Sequence, residues 1–411
     1  MNLRQAEEYL LDLELFGMRF GLDRMHKLMT VLGMPQRRFA SIHVVGTNGK
    51  SSTVRMIAAI LERHGLRTGS YTSPHLASFT ERVEVGEQPV SGSDFANAVA
   101  RAAHAAELVN HTQEEGDTVT QFEALTAAAY HELARREVEV AVIEAGLGGR
   151  YDATNVIPSR VQVLTGVGLE HTRWLGPTIT DIAEEKLAVV PAQGVLVTGD
   201  LDPEAEAVAA RVVEERGARR VHAGPEAEYP LAARGGFQRG NFALARAAAE
   251  AFLGELDEEA VRRAAAELRV PGRMQQVGER PLTILDGAHN PSGARAVAEA
   301  LPEVIGERPL VGVFAVLDDK DAAAMLEALL PLCAQAVFTR CANPRALSPA
   351  TLESLASKLG GPPSETVADP RAALERAREL AGPAGAVLAT GSIYLVADLV
   401  RDEAVARAST L

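Results

Sequence analysis

One stretch, His43-Val44-Val45-Gly46-Thr47-Asn48-Gly49-Lys50-Ser51-Ser52-Thr53, constrains this chain more than any other. Ile42 to Val45 reads as a short buried strand, and Val54 to Leu61 supplies the apolar face of a helix, with a tight glycine turn between them. Strand, turn and helix N-terminus in that order present several backbone N–H groups at the positive end of the helix dipole. Gly46 and Gly49 let the backbone approach a ligand closely. Lys50 adds a mobile positive charge, and a hydroxyl of Ser51 or Ser52 can meet Mg²⁺. These parts cradle a triphosphate, so a nucleotide with Mg²⁺ is expected, bound along Gly46, Thr47, Asn48, Gly49, Lys50, Ser51 and Ser52. The general phosphate-loop pattern would place a glycine at position 44, where Val44 stands, so the loop is a short form of it.

The 411 residues exceed what one core organises and suit two domains. A formal charge of −14 argues against binding to nucleic acid or to an anionic membrane, and it requires local lysines, arginines and Mg²⁺ to reverse the field wherever the nucleotide binds. The two cysteines, Cys333 and Cys341, form no metal or disulfide pattern. The charged start Met1-Asn2-Leu3-Arg4 is not a signal peptide, and no apolar run spans a bilayer, so a cytoplasmic protein is expected.

Helical spacing covers 3–15, 22–32, 93–109 and 120–136, the last opened by Thr120 with Glu123 at the capping-box position. Strands are expected at 42–45, 81–85, 138–143, 161–165 and 194–198. The strand 138–143 ends on Glu144, and a carboxylate at the C-terminal end of a parallel strand lies where such sheets bind ligands and where Mg²⁺ finds a hard oxygen. Val270-Pro271-Gly272-Arg273 is a turn after which strands and helices alternate again, with Asp286-Gly287-Ala288-His289-Asn290-Pro291 at the end of strand 282–285. The fold class expected is α/β: a large N-terminal P-loop ATPase domain with a parallel sheet over 1–275, then a smaller C-terminal Rossmann-like domain over 276–411.

The short loop Gly46-Thr47-Asn48-Gly49-Lys50-Ser51 resembles that of the Mur ligase superfamily, ATP-dependent amide-bond formers. Ser73-Pro74-His75-Leu76 with Glu81-Arg82, and Glu144-Ala145-Gly146-Leu147-Gly148-Gly149 running to Asp152 and Thr154-Asn155, are similar to the branch that contains folylpolyglutamate synthase and bifunctional dihydrofolate synthase. The resemblance implies addition of L-glutamate to a folate or dihydropteroate carboxylate through an acyl phosphate. It implies that the nucleotide is ATP, with two Mg²⁺ ions on Ser73, Glu144 and His171 and a carbamylated Lys186 in support. Gln238, Asn241, Arg273 and Asp286 are implied to contact or support the nucleotide. Arg82, Phe122, Asp152 and His289 are implied on the folate and glutamate side, with Phe122 equally well read as core. Lys50, Glu144, His171, Lys186 and His289 are the implied catalytic set. The chain departs from the family at Glu170, where Asp is usual, at Pro177, at Phe237, where His is common, and at Leu187-Ala188, where Ala-Gly is usual. Small-molecule substrates and a monomer are expected. Another Mur-type ligase acting on a non-folate carboxylate, or a non-catalytic nucleotide-binding protein, are the rival readings.

Overall fold

The computed structural model describes residues 1–13, 21–114, 116–224 and 229–401. Eight strands form the first sheet: β1 (Ala40–Val45), β2 (Thr68–Tyr71), β3 (Val83–Val85), β4 (Gln88–Pro89), β5 (Val140–Glu144), β6 (Val161–Leu164), β7 (Val195–Thr198) and β8 (Arg219–His222), in the order β4-β3-β2-β5-β1-β6-β7-β8. The sheet expected to be parallel is mixed. β3 runs antiparallel to both β2 and β4, because the short segment joining β2 to β3 carries no crossover helix to return the chain to its starting end. The remaining pairs are parallel.

β1 is central and buried from Ser41 to Val45, as a strand covered on both faces must be. Ile42 and Val44 pack with Val54, Ile57 and Leu61 of the helix Lys50–Arg63. Val45 meets Leu164 and Leu187 in the opposite layer. Each such side chain contributes about 1.5–3 kcal/mol of burial, which fixes the strand whose end carries the glycine turn. Alanines (Ala98, Ala102, Ala105 against Ala124, Ala128) let the helices Gly92–Asn110 and Gln121–Arg135 approach closely. The first helix is Leu3–Asp12, and residues 14–15 of the expected 3–15 helix lie outside the described residues.

The second sheet has six strands, β9 (Gln275–Glu279), β10 (Leu282–Leu285), β11 (Leu310–Phe314), β12 (Gln335–Phe338), β13 (Ser364–Thr366) and β14 (Ala386–Thr390), ordered β13-β12-β11-β14-β10-β9. All pairs are parallel except the β9–β10 hairpin. Its helices Pro291–Ile305, Pro349–Lys358 and Pro370–Ala381 share one start: Asn290, Ser348 or Asp369 accepts a backbone N–H and a proline follows.

The two lobes interlock at the loop that carries Leu76. Leu76 belongs to the first lobe by sequence but sits in the apolar cluster of the second, with Leu285, Leu395 and Val396. The Arg401 guanidinium donates to the Leu76 carbonyl at 2.7 Å. Glu81 shapes the same loop by accepting the N–H groups of Leu76, Ala77 and Ser78. No helix among the described residues is long and apolar enough to cross a membrane.

Candidate active site

Register brings the site together. In the β1–β5 pair Val44 lies abreast of Glu144, so the carboxylate emerges beside the glycine turn that begins two residues later. A Cβ on Gly46 would fall 2.0 Å from Thr165 Oγ1, and one on Gly49 would fall 2.4 Å from Asn241 Oδ1, with φ of 148° and 84° respectively. Both positions therefore demand glycine for space and for conformation. Thr165 Oγ1 donates to the Asn48 carbonyl at 2.6 Å, while Thr47 Oγ1 donates to the Gly168 carbonyl and accepts from the Gly168 N–H. The loop after β6 thus braces the turn.

The cleft between the lobes has a volume of about 750 Å³, the upper part of the range for small-molecule sites. Of the residues expected from the sequence, Thr47 to Ser52, Ser73, Arg82, Phe122, Glu144, Asp152, His171, Asn241, Arg273, Asp286 and His289 all line it. Gly46, Lys186 and Gln238 do not. Gly46 and Lys186 lie beneath the wall, and Gln238 stands behind Asn241, accepting from its Nδ2 at 2.9 Å, so its part is to orient Asn241.

Glu144 is 2% exposed. Its Oε1 accepts from Ser51 Oγ at 3.0 Å and its Oε2 from the Ser73 N–H at 3.1 Å, which selects Ser51 over Ser52 as the hydroxyl at the carboxylate. Burial raises its pKa above the usual carboxylate range, with Lys50, Ser73, Ser51 and Arg273 opposing. No three His, Cys, Asp or Glu side chains among the described residues group to hold a metal by themselves. Mg²⁺ needs no such cage, since it keeps waters and takes one or two carboxylates plus substrate phosphates. The hard oxygens of Ser51 and Glu144 beside the turn fit it.

His171, like Glu144, lines the cleft and has Lys50 among its neighbours. It shares its surroundings with Glu170, Lys186, Lys50 and Lys320, and burial with the nearby lysines lowers its pKa. Its backbone is left-handed, φ 46° and ψ 37°, at the start of the short helix Thr172–Leu175. A non-glycine residue is held there only when its surroundings over-determine it.

Lys186 is 1% exposed and donates to the Gly46 carbonyl at 2.9 Å and to Glu170 Oε1 at 2.7 Å. Burial lowers its pKa, and Glu170 opposes that. Burial pushes the Glu170 carboxyl up, but Lys186, Lys50 and His171 outweigh it and hold it at about 2. Both acceptors of Lys186 suit an ammonium. A carbamate at its tip would face oxygen on each side unless a cation stood between. Lys50 donates to the Gly46 and Thr47 carbonyls at 3.0 and 3.2 Å.

On the acceptor side, Arg82 is 1% exposed yet forms part of the cleft wall. Its Nε donates to His75 Nδ1 at 3.0 Å, its guanidinium lies 5.4 Å from the Phe79 ring centre, and burial lowers its pKa, with Tyr71 and Glu144 among the groups opposing that. A buried guanidinium at a cleft wall is matched by a carboxylate brought to it. Phe122 stacks on Tyr71 with centroids 6.1 Å apart and leaves room for no side chain at Gly146, so it is at once core and wall. Asp152 accepts from the Leu147 N–H, the Thr154 N–H and the Thr154 hydroxyl, which makes it the pin of its own loop. Thr154 in turn accepts from His43 Nε2 at 2.8 Å.

From the second lobe, Asp286 accepts from the Met274 and Ala288 N–H groups, each at 2.8 Å, and so ties the linker to the end of β10. His289 Nδ1 donates to the Gly287 carbonyl at 2.9 Å, and burial takes its pKa down to about 4. The sequence assigns no role to Lys320, Arg345 or Trp174 and reads Tyr394 as part of a closing turn and packing element, yet all four line the cleft. Lys320 and Arg345 lie in polar loops at strand ends, and that position was the available signal.

Comparison with known proteins follows the same lines. The profile of the Mur ligase, glutamate ligase domain matches residues 272–393. A dihydrofolate synthase/folylpolyglutamate synthase of Mycobacterium tuberculosis is 35% identical over 381 residues, covering 83% of this chain and 78% of its own length. A probable bifunctional folylpolyglutamate synthase/dihydropteroate synthase of Haloferax volcanii is 34% identical over 97% of this chain, which spans half the length of that relative (50%). The structure of Mycobacterium tuberculosis folylpolyglutamate synthase complexed with ADP superposes with a TM-score of 0.91 at 33% identity, covering 97% of this chain and 98% of that one.

Proposed function

This chain belongs to the dihydrofolate synthase/folylpolyglutamate synthase family of Mur-type ligases, and from that premise we propose that it joins L-glutamate to the carboxylate of a folate or of dihydropteroate, with ATP converted to ADP and phosphate. The observation that carries the reading is a single cleft lined by the phosphate loop with Glu144 and, on its other side, by the buried guanidinium side chain of Arg82. An acid substrate and a nucleotide are thereby held face to face.

A carboxylate resists attack by an amine because it is resonance-stabilised and anionic. Phosphorylation by ATP gives an acyl phosphate with a good leaving group, which the glutamate amine displaces to form the amide. The turn N–H groups and Lys50 hold the phosphates, while Arg82 holds the acid and Arg273 closes over the nucleotide from the linker. Asn241, steadied by Gln238, supports the turn from below. His289 and Asp286 bring the second lobe over the site and exclude water from the acyl phosphate. Ser51, Ser73 and Glu144 would hold one Mg²⁺ and His171 with Glu170 another; Mg²⁺ supplies charge neutralisation on the phosphate oxygens. Phe122 and Asp152 form the floor against which the pterin lies.

Carbamylation of Lys186 belongs to the metal-loaded state in this reading: burial favours the neutral amine that reacts with CO₂, and a cation would separate the carbamate from Glu170. Without metal the ammonium pairs with Glu170. Carbon-13 NMR in labelled bicarbonate, with and without Mg²⁺, tests this. We assign the lobe boundary to residue 275 and take the enzyme as a cytoplasmic monomer.

The test of the function is incubation with MgATP, L-glutamate and either dihydropteroate or tetrahydrofolate. ADP release that depends on both glutamate and acceptor supports the assignment. Nucleotide binding without such release refutes it.

A further inference from the structure

The Asn48 side chain does not point along its own loop towards a nucleotide. It reaches across the cleft into the second lobe, donating from Nδ2 to Ser292 Oγ at 2.8 Å and to Asn290 Oδ1 at 3.3 Å. Asn290 answers from its Nδ2 to Asn48 Oδ1 at 2.9 Å. The orientation of both amides is forced. Asn290 Oδ1 accepts the Gly293 N–H at 2.8 Å as the cap of helix Pro291–Ile305, and it accepts the Ser292 hydroxyl at 3.0 Å. Its nitrogen must therefore donate, Asn48 Oδ1 must accept, and Asn48 Nδ2 is left for Ser292. Each of the three side chains both donates and accepts within the ring, and Asn290 is 6% exposed. The ring joins the phosphate loop to the residue that directly follows His289, and the Asn48 main chain is itself fixed by Thr165.

We propose that Asn290 and Ser292 are positioning residues: with Asn48 they form a latch that sets the distance between the phosphate loop and the His289 end of the second lobe. Building on the ligase reading above, the latch acts after ATP binds, when the amine on the second lobe must meet the acyl phosphate on the first. A neutral hydrogen bond lost from it lowers the fraction of closed molecules without touching the nucleotide itself.

The test uses Ser292→Ala, Asn48→Ala and the double variant of the full chain. Ser292→Ala should lower kcat of glutamate-dependent ADP release roughly tenfold, with nucleotide affinity within about twofold of wild type. Ser292→Thr, which keeps the hydroxyl, should restore most of the loss. The double variant should lose no more than Asn48→Ala alone. Multiplying losses, or Ser292→Ala at wild-type kcat, overturn the latch. A second measurement is independent of activity. Spin labels at Glu107→Cys and Glu375→Cys, 73% and 65% exposed on opposite lobes, report the interlobe distance while Cys333 and Cys341 stay buried. The distance distribution should broaden in Ser292→Ala. An unchanged distribution refutes the latch whatever the reaction is, whereas broadening in a chain without ligase activity refutes only the functional reading.

Discussion

Replacing Glu170 by Gln isolates the most costly charge in the site. Lys186 and Glu170 meet at 2.7 Å with side chains 1% and 11% exposed, so the variant strands an ammonium away from water. Breaking a buried pair in this way costs about 3–5 kcal/mol if the ammonium stays charged. The chain has an alternative: Lys186 can release its proton, and from an ordinary pKa of 10.5 that costs about 3.4 kcal/mol at pH 8 and about 2 kcal/mol at pH 9. The cheaper route sets a ceiling, and the amide oxygen of Gln trims it by accepting one hydrogen bond. The expected destabilisation is therefore about 2–3 kcal/mol at pH 8, shrinking by about 1.4 kcal/mol for each unit of pH above it. The sign follows from linkage: the unfolded variant binds a proton that the folded one lacks, so stability rises with pH. The single tryptophan, Trp174, lies four residues from Glu170 and reports unfolding of this lobe by fluorescence in guanidinium titrations at pH 8 and pH 9. A cost below about 1 kcal/mol would show that Lys186 is not a buried ammonium paired with Glu170, and a larger cost independent of pH would show that it keeps its proton in the variant.

Three further outcomes are expected. Glu144→Gln should lower turnover by at least about a thousandfold while leaving the melting temperature within a few degrees, and near-normal activity would remove the metal role. His75→Leu should raise KM for the acid acceptor about tenfold with KM for ATP unchanged, because Arg82 loses the acceptor that aims it; His75→Asn should recover most of that, and equal effects on both substrates would refute the positioning. His43 is fully buried, with burial bringing its pKa from 6.5 down to about 3, so it is neutral when folded and protonated when unfolded at pH 5. Stability should then fall by about 2 kcal/mol between pH 8 and pH 5 on this account, and His43→Gln should flatten that slope in denaturant titrations.

The parts of this fold that were legible in the sequence are those with a strong local cause. The apolar run into Gly46 and the helix face after Gly49 give strand, turn and helix, and Pro291, Pro349 and Pro370 mark helix starts within a residue or two. Four strands carried no such signal: β4, β8, β9 and β13. They are the outermost strands of the two sheets. An edge strand is half-solvated and needs neither an apolar run nor strict alternation, so Arg219–His222 and Ser364–Thr366 read as loop. In the site, sequence placed Glu144 and Lys50 because a strand end and a glycine turn are local features. The groups with no site role in the sequence, Lys320, Arg345 and Tyr394, come from a second lobe whose docking no local pattern encodes. Gln238 was legible as part of the site but not as the residue behind Asn241, since the helix turn that hides it is set by packing.

Leu76 has a bearing on how such proteins can be rebuilt. A side chain lent by one half to the interior of the other means that the ligase half, cut free at the linker, would carry an empty socket bordered by Leu285 and Val396. Swapping in the corresponding half of a relative would succeed only if lender and socket were exchanged together, so the smallest interchangeable unit here includes the loop from Ser73 to Arg82 along with the second lobe.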